Sequence, residues 1–172
     1  MNKDLKTKVF ISHSGNDKNY VKILTELLES IGLNEDDIFC SSMPGYGIPL
    51  KNGIFEFLEK EFKNNDLIVL YILSDNYYKS VACLNEMGAA WVLKKDYVSI
   101  LLPEFEFKKI EGAIDPRRIG IKLDSDLDDL KHRLGELKDM LIDLLNLKAV
   151  PPSRWERNRD SFINKINEQA KP

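Results

Sequence analysis

Residues 67–73, reading LIVLYIL, constrain this chain more than any other stretch, being apolar throughout with no alternation. A strand with one wet face alternates apolar and polar residues, so a run apolar on both faces belongs inside a covered sheet. Such sheets are parallel, and their strands are joined by crossover helices. Shorter strand signals lie at residues 8–12 (KVFIS), 37–40 (DIFC), 97–102 (YVSILL) and 119–123 (IGIKL), the last reading as an edge strand. Helical spacing intervenes: Tyr20, Ile23, Leu24, Leu27, Leu28 and Ile31 precede Gly32, and Ile54, Phe55, Leu58 and Phe62 recur within residues 52–63. Residues 103–118 read as an irregular connection with Phe105, Phe107, Ile110 and Ile114 packing down. Strands alternating with helices predict an α/β, flavodoxin-like fold. Its five-stranded parallel sheet has the order 2-1-3-4-5 with helices on both faces, and its site lies outside the C-terminal strand ends.

Beyond the fifth strand, residues 126–147 predict a long amphipathic helix carrying Leu127, Leu130, Leu134, Leu137, Leu141, Leu144 and Leu145. Pro151 and Pro152 break it, and Ser153 with Glu156 predicts a capping box for a last helix to about Asn167. The expected division is therefore a domain over 1–125 and a C-terminal helical extension, 126–172, packed on that domain or continuing it. The leucine face is expected to serve core packing, with association between chains as the other use. At 172 residues and 43% hydrophobic the chain can bury a real core. Net charge is −3 with Lys and Arg scattered, which argues against a nucleic-acid surface. Two cysteines and two histidines make neither a disulfide framework nor a metal cluster. The polar start MNKDLKTKVFIS lacks the core of a signal peptide, and no greasy run is long enough to span a bilayer. A soluble, cytoplasmic chain is expected.

The stretch 74–95, SDNYYKSVACLNEMGAAWVLKK, follows the central strand. Ser74 or Asp75 can cap a helix there. From Val81 to Leu93 the residues are apolar or small on every side except at Asn85 and Glu86, which predicts a helix buried all round. Trp91 is accordingly expected in the core, and Cys83 to behave as a small hydrophobe. Glu86 is the only acid between Asp75 and Asp96. It either ion-pairs with a Lys at the helix edge, or stands as a desolvated carboxylate of the kind that gathers at functional sites.

Several familiar sites are excluded. Gly45-Tyr46-Gly47 opens a dinucleotide-like pattern, but Leu50 holds the third glycine position and the loop follows the second strand. No phosphate-binding Gly-Lys-Ser/Thr occurs. Ser12-His13-Ser14-Gly15-Asn16 is similar to a flavodoxin phosphate loop, yet no pair of flavin-sandwiching aromatic loops accompanies it. A phospho-receiver would need acids after the first strand. Adjacent loop residues rarely align as nucleophile and base, so His13, with Asp17 nearby, is expected to position or cap rather than to catalyse.

Three ordered pieces together resemble the TIR (Toll/interleukin-1 receptor) domain family, in its bacterial branch. Val9-Phe10-Ile11-Ser12-His13-Ser14 with Asp17 forms the first. The Gly- and Pro-rich loop 41–50, with Pro44, Gly45 and Ile48, corresponds to the family's BB loop. Leu73-Ser74 and Tyr77, then Ser80, Cys83 and Glu86 in the spacing S-x-x-C-x-x-E, form the third. The likeness covers about residues 5–125. It implies a flavodoxin-like fold and, in the NAD-cleaving members, Glu86 as the catalytic residue. NAD+ would then be substrate, with no cofactor and no metal. Several such members carry Trp where this chain has Ala82, so base or nicotinamide would pack elsewhere, on Phe10, Tyr46 or Trp91. Ser12, His13 and Ser42 are the expected phosphate or ribose contacts, with Ser80 and Cys83 completing the set and loop 41–50 as lid. The resemblance further implies TIR–TIR self-association and a place in antiphage signalling, with a downstream effector sensing the product. Its alternative is a non-catalytic scaffold.

One carboxylate is chemically adequate for that cleavage. Glycosidases use two because the leaving oxygen needs a proton. Nicotinamide in NAD+ is already cationic and departs neutral, so only the oxocarbenium-like ribose needs stabilising. Water as the attacking group gives ADP-ribose, and an adenine nitrogen gives a cyclic isomer.

Overall fold

The computed structural model describes residues 5–40 and 54–171, side chains 54, 55, 57 and 58 aside. Loop 41–50, with Ser42 and Tyr46, lies outside the described residues. The strands are β1 (Lys6–Ser12), β2 (Ile38–Phe39), β3 (Asn65–Leu73), β4 (Asp96–Leu101) and β5 (Ile121–Lys122). They form one parallel sheet in the order β2-β1-β3-β4-β5, with Ser12 beside Tyr71 and Leu73 beside Leu101. The expected fold and strand order are thus observed. The helices are α1 (Lys18–Ser30), α2 (Ile54–Asn64), α3 (Asp75–Lys79), α4 (Val81–Val92), α5 (Leu127–Leu145) and α6 (Pro152–Gln169).

The period-2 pleat of the sheet separates two cores. Val9, Ile11, Leu70, Ile72 and Ile100 face α1, α5 and α6, whose Leu24, Leu28, Leu134, Leu141, Phe162 and Ile163 are buried with them. Phe10, Val69, Tyr71, Leu73 and Leu101 face the other way, against Phe62, Tyr77, Cys83, Met87, Phe105 and Ile114. The leucine face of α5 therefore packs on the sheet, and α6 closes over α1, with Lys165 on Glu26 at 2.6 Å. Gly32 ends α1 as its glycine position requires: at φ +110° it donates to Glu29, while Leu33 donates back to Leu28.

Four local expectations need correction. Residues 74–93 are not one helix, because Ser80 turns extended and caps a second one, its hydroxyl accepting from Cys83 N. Nor is α4 buried all round. Cys83, Glu86, Met87 and Ala90 face the sheet, while Val81, Leu84, Trp91 and Val92 are exposed on the opposite side, Trp91 at 65%. A single helix lying on a sheet can bury only about half of its circumference, whatever its composition. Trp91 is a surface residue. At the chain's end α6 begins at Pro152 with no side-chain cap, so the expected Ser153–Glu156 box does not form. Proline at the first helical position presets φ and lacks the N–H that a cap would satisfy. Finally, β5 is only two residues long, with Ile119 and the α5 residue Leu127 both exposed.

Candidate functional site

The parallel sheet delivers the ends of β1, β2 and β3 to one edge, and most of the buried polar side chains gather there. Ser12, His13, Ser14 and Asp17 follow or end β1, Ser74 follows β3, and Glu86 projects from α4; each is less than 8% exposed. Ser12 sits on the same face of β1 as Phe10, which points it toward α3 and α4. Its hydroxyl lies 2.6 Å from Glu86 Oε2, donating to it when the acid is ionised, and 3.0 Å from Tyr77 Oη. Tyr77 in turn donates to the Cys83 carbonyl at 3.1 Å.

Glu86 is thus held by a hydroxyl rather than a cation. Among the described residues no Lys or Arg pairs with it, so no ion pair of the kind the sequence allowed is formed there. Burial pushes its pKa up to about 7, opposed by the Ser12 hydrogen bond. Around it, burial likewise raises the Tyr71 and Tyr77 phenols, and the Cys83 thiol reaches about 11. These groups are neutral at physiological pH, and Cys83 is no thiolate nucleophile. Glu86 is the group here that titrates near neutrality.

The supporting frame is polar and specific. Asp17, 4% exposed, accepts from Ser74 Oγ at 2.5 Å and from Asn76 Nδ2 at 2.8 Å. Ser74 then caps α3 through Tyr77 N at 3.0 Å. Asp17 therefore ties the loop after β1 to the helix that carries Tyr77. His13 is buried, its Nδ1 3.6 Å from Cys40 Sγ and 3.4 Å from the Ile11 carbonyl; burial holds its pKa below the usual value. It faces the end of β2.

Of the residues singled out in the sequence, Ser12, Cys83 and Glu86 come together, with Ser80 as the cap beneath them. Phe10 is fully buried, stacked on Phe39 at 4.9 Å and edge-on to Phe62, so its ring lies in the core under the site. Ala82 is exposed. Tyr77, a motif residue with no role assigned from sequence, is the link between Ser12 and the first turn of α4. Tyr71 and Asn76 were also missed. The strand period places Tyr71 on the face shared by Leu73, the one sequence cue available. Among the described residues no group of three His, Cys, Asp or Glu side chains is arranged to hold a metal ion, and no helix is long and apolar enough to cross a membrane.

Comparison with known proteins agrees with this fold. The TIR domain family matches residues 9–135, from the middle of β1 into α5. The chain is also similar to the uncharacterized protein YddK of Bacillus subtilis (strain 168), 40% identical over 166 residues. That alignment takes in 96% of the chain but 59% of YddK, so the chain spans well under two thirds of its relative's length. Because the family match takes in well over half of its residues, the chain belongs to the TIR domain family.

Proposed function

We propose that this TIR domain cleaves NAD+ at the nicotinamide–ribose bond, with Glu86 as its catalytic carboxylate. One observation carries the reading: Glu86 is a 6%-exposed acid at the C-terminal edge of the sheet, with a hydroxyl partner and no cation partner among the described residues. A structural ion pair would not look like this, whereas a carboxylate awaiting a cationic ligand would. As the C–N bond breaks, its electron pair moves to the pyridinium nitrogen and nicotinamide leaves neutral. The ionised carboxylate stabilises the positive charge developing on the ribose in a water-poor setting. Water then bonds to the ribose carbon and releases a proton, giving ADP-ribose; attack by an adenine nitrogen gives the cyclic isomer instead. Ser12 orients the carboxylate, and His13, Ser42, Tyr46, Ser80 and Cys83 belong to the surrounding NAD-binding shell. Phe10 supports that shell from below. Activity rises with pH through about 7, where Glu86 ionises, and then levels off.

A second reading, a TIR scaffold acting through self-association, is favoured by the exposed apolar side of α4 formed by Val81, Leu84, Trp91 and Val92. Incubation with NAD+ followed by mass-resolved chromatography, beside Glu86→Gln, separates the two. Nicotinamide released by the wild type and not by the variant is the expected result. No release at any protein concentration, with self-association intact in both, would sink the enzyme in favour of the scaffold.

A further inference from the structure

The contacts around Glu86 can be counted in protons. Three run in series: Glu86 Oε2 to Ser12 Oγ at 2.6 Å, Ser12 Oγ to Tyr77 Oη at 3.0 Å, and Tyr77 Oη to the Cys83 carbonyl at 3.1 Å. The carbonyl can only accept, so the Tyr77 proton goes to it. The Tyr77 oxygen then accepts from Ser12, and Ser12, its one proton spent, accepts from the carboxyl. That sequence requires a proton on Glu86. Once Glu86 is ionised, Ser12 must turn and donate to the carboxylate. A single Tyr77 proton is left for two contacts, Ser12 and the Cys83 carbonyl, and one of the three lacks a hydrogen between its oxygens. In a buried site such an unmade bond is unfavourable.

We propose that Tyr77 is a positioning residue that acts through Ser12 to keep Glu86 protonated at rest, because the relay to the Cys83 carbonyl is complete only in that form. The groups facing Glu86 are consistent with this. Ser12 comes from β1, Tyr77 from α3, Tyr71 from β3 and Cys83 from its own helix, and none of them carries charge near neutrality. Asp17, the nearby acid, is turned to Ser74 and Asn76. For turnover the consequence rests on the NAD-cleaving reading. A cationic substrate favours the carboxylate, so binding and loss of the Glu86 proton are coupled, and the Ser12 hydroxyl reverses from acceptor to donor as they occur. The relay itself needs no substrate.

The test follows the side-chain carboxyl carbon of Glu86 by NMR in the whole chain with labelled glutamate, assigned by the signal lost in Glu86→Gln. In Tyr77→Phe the ionisation midpoint should fall by roughly half a unit to one unit, the worth of one hydrogen bond. In Ser12→Ala it should rise, because the carboxylate loses its donor. The double variant should match Ser12→Ala alone, since Tyr77 acts only through Ser12. An unmoved midpoint in Tyr77→Phe overturns the relay. So does an equal fall in the Ser12→Ala background, which would mean that the change merely admits water. Should Tyr77→Phe fail to fold, the Tyr77 ring-carbon signal of the wild type is followed instead. It should titrate with Glu86 and stop doing so in Ser12→Ala; continued tracking there overturns the relay equally. NAD+ turnover does not enter this measurement, so absent cleavage would defeat the proposed function alone, and an unshifted midpoint the relay alone.

Discussion

The two faces of this sheet are made by the same strands and yet do different work. Toward α1, α5 and α6 the strands present Val9, Ile11, Leu70, Ile72 and Ile100, and the buried partners are apolar except Thr25, whose hydroxyl turns back to the Val21 carbonyl. Toward α2, α3 and α4 the same strands present Phe10, Ser12, Tyr71 and Leu73, and hydroxyls and a carboxylate enter the packing as β1 nears its C-terminal end. A parallel sheet permits this division because its pleat sends neighbours to opposite sides, while its topology gathers the strand ends at one edge. The apolar face stabilises the fold. The other face holds an acid that the fold would be more stable without.

That difference is sharpest at Glu86. Glu86→Gln should lower NAD+ cleavage by roughly a thousandfold, about 4 kcal/mol in the barrier, the scale of removing one preorganised electrostatic group. Its effect on stability has the opposite sign. The folded pKa of about 7 lies above the ordinary 4.5, so unfolding releases this proton between those values. The contribution of Glu86 to stability is full below pH 4.5, is lost as pH rises through 7, and amounts to roughly 3 kcal/mol. Thermal melts should therefore show the variant above the wild type at pH 8 and the two converging toward pH 5. A wild type that melts higher than the variant at pH 8 would mean that the acid stabilises the fold, and the contrast between the faces would fail.

On the apolar face the expectation reverses. Leu141 is wholly buried on α5 against the sheet, and Leu141→Ala should destabilise by roughly 2–5 kcal/mol through lost burial and the cavity left behind. Turnover per folded molecule, measured well below the melting temperature, should not change. A parallel loss of turnover would show that the two faces are mechanically coupled.

Asp17 tests the frame of the polar face. Asp17→Ala removes the acceptor of both Ser74 and Asn76 and should cost about 2 kcal/mol in denaturant unfolding. The end of α3 would loosen with it, so the Tyr77 ring signals should shift while those of Trp155, buried in the opposite core, stay in place.

How much of this was legible beforehand follows from the same physics. Burial on both faces wrote itself as LIVLYIL, so the sheet and its order could be read directly. Glu86 stood out because an acid alone in an apolar helix is expensive to bury. The relay was not legible: Ser12 and Tyr77 are 65 residues apart, and hydroxyl partners leave no periodicity. The outer side of α4 was misread for a related reason, since composition reports how apolar a helix is and not which side meets water. Ser80, quoted for its motif spacing, gave no hint from sequence that it divides the segment into two helices, because the apolar run after it reads as uninterrupted helix.

The smallest expected effect lies on that outer side. Trp91 is 65% exposed and Val92 68%, and both residues differ little from serine in helix propensity. Trp91→Ser with Val92→Ser should therefore move unfolding free energy by no more than about 0.5 kcal/mol, as expected of surface positions. What should move is association. Val81, Leu84, Trp91 and Val92 fall on one side of α4, opposite Cys83, Glu86 and Ala90, so any chain covering them lies across the helix from Glu86. In sedimentation, a wild type heavier than the double variant at equal concentration would make this the surface on which copies meet. If NAD+ turnover fell with concentration only in the variant, the two sides of α4 would be joined in one function. Equal masses would leave the stripe as ordinary exposed apolar surface, and the polar face of the sheet would have to act within a single chain.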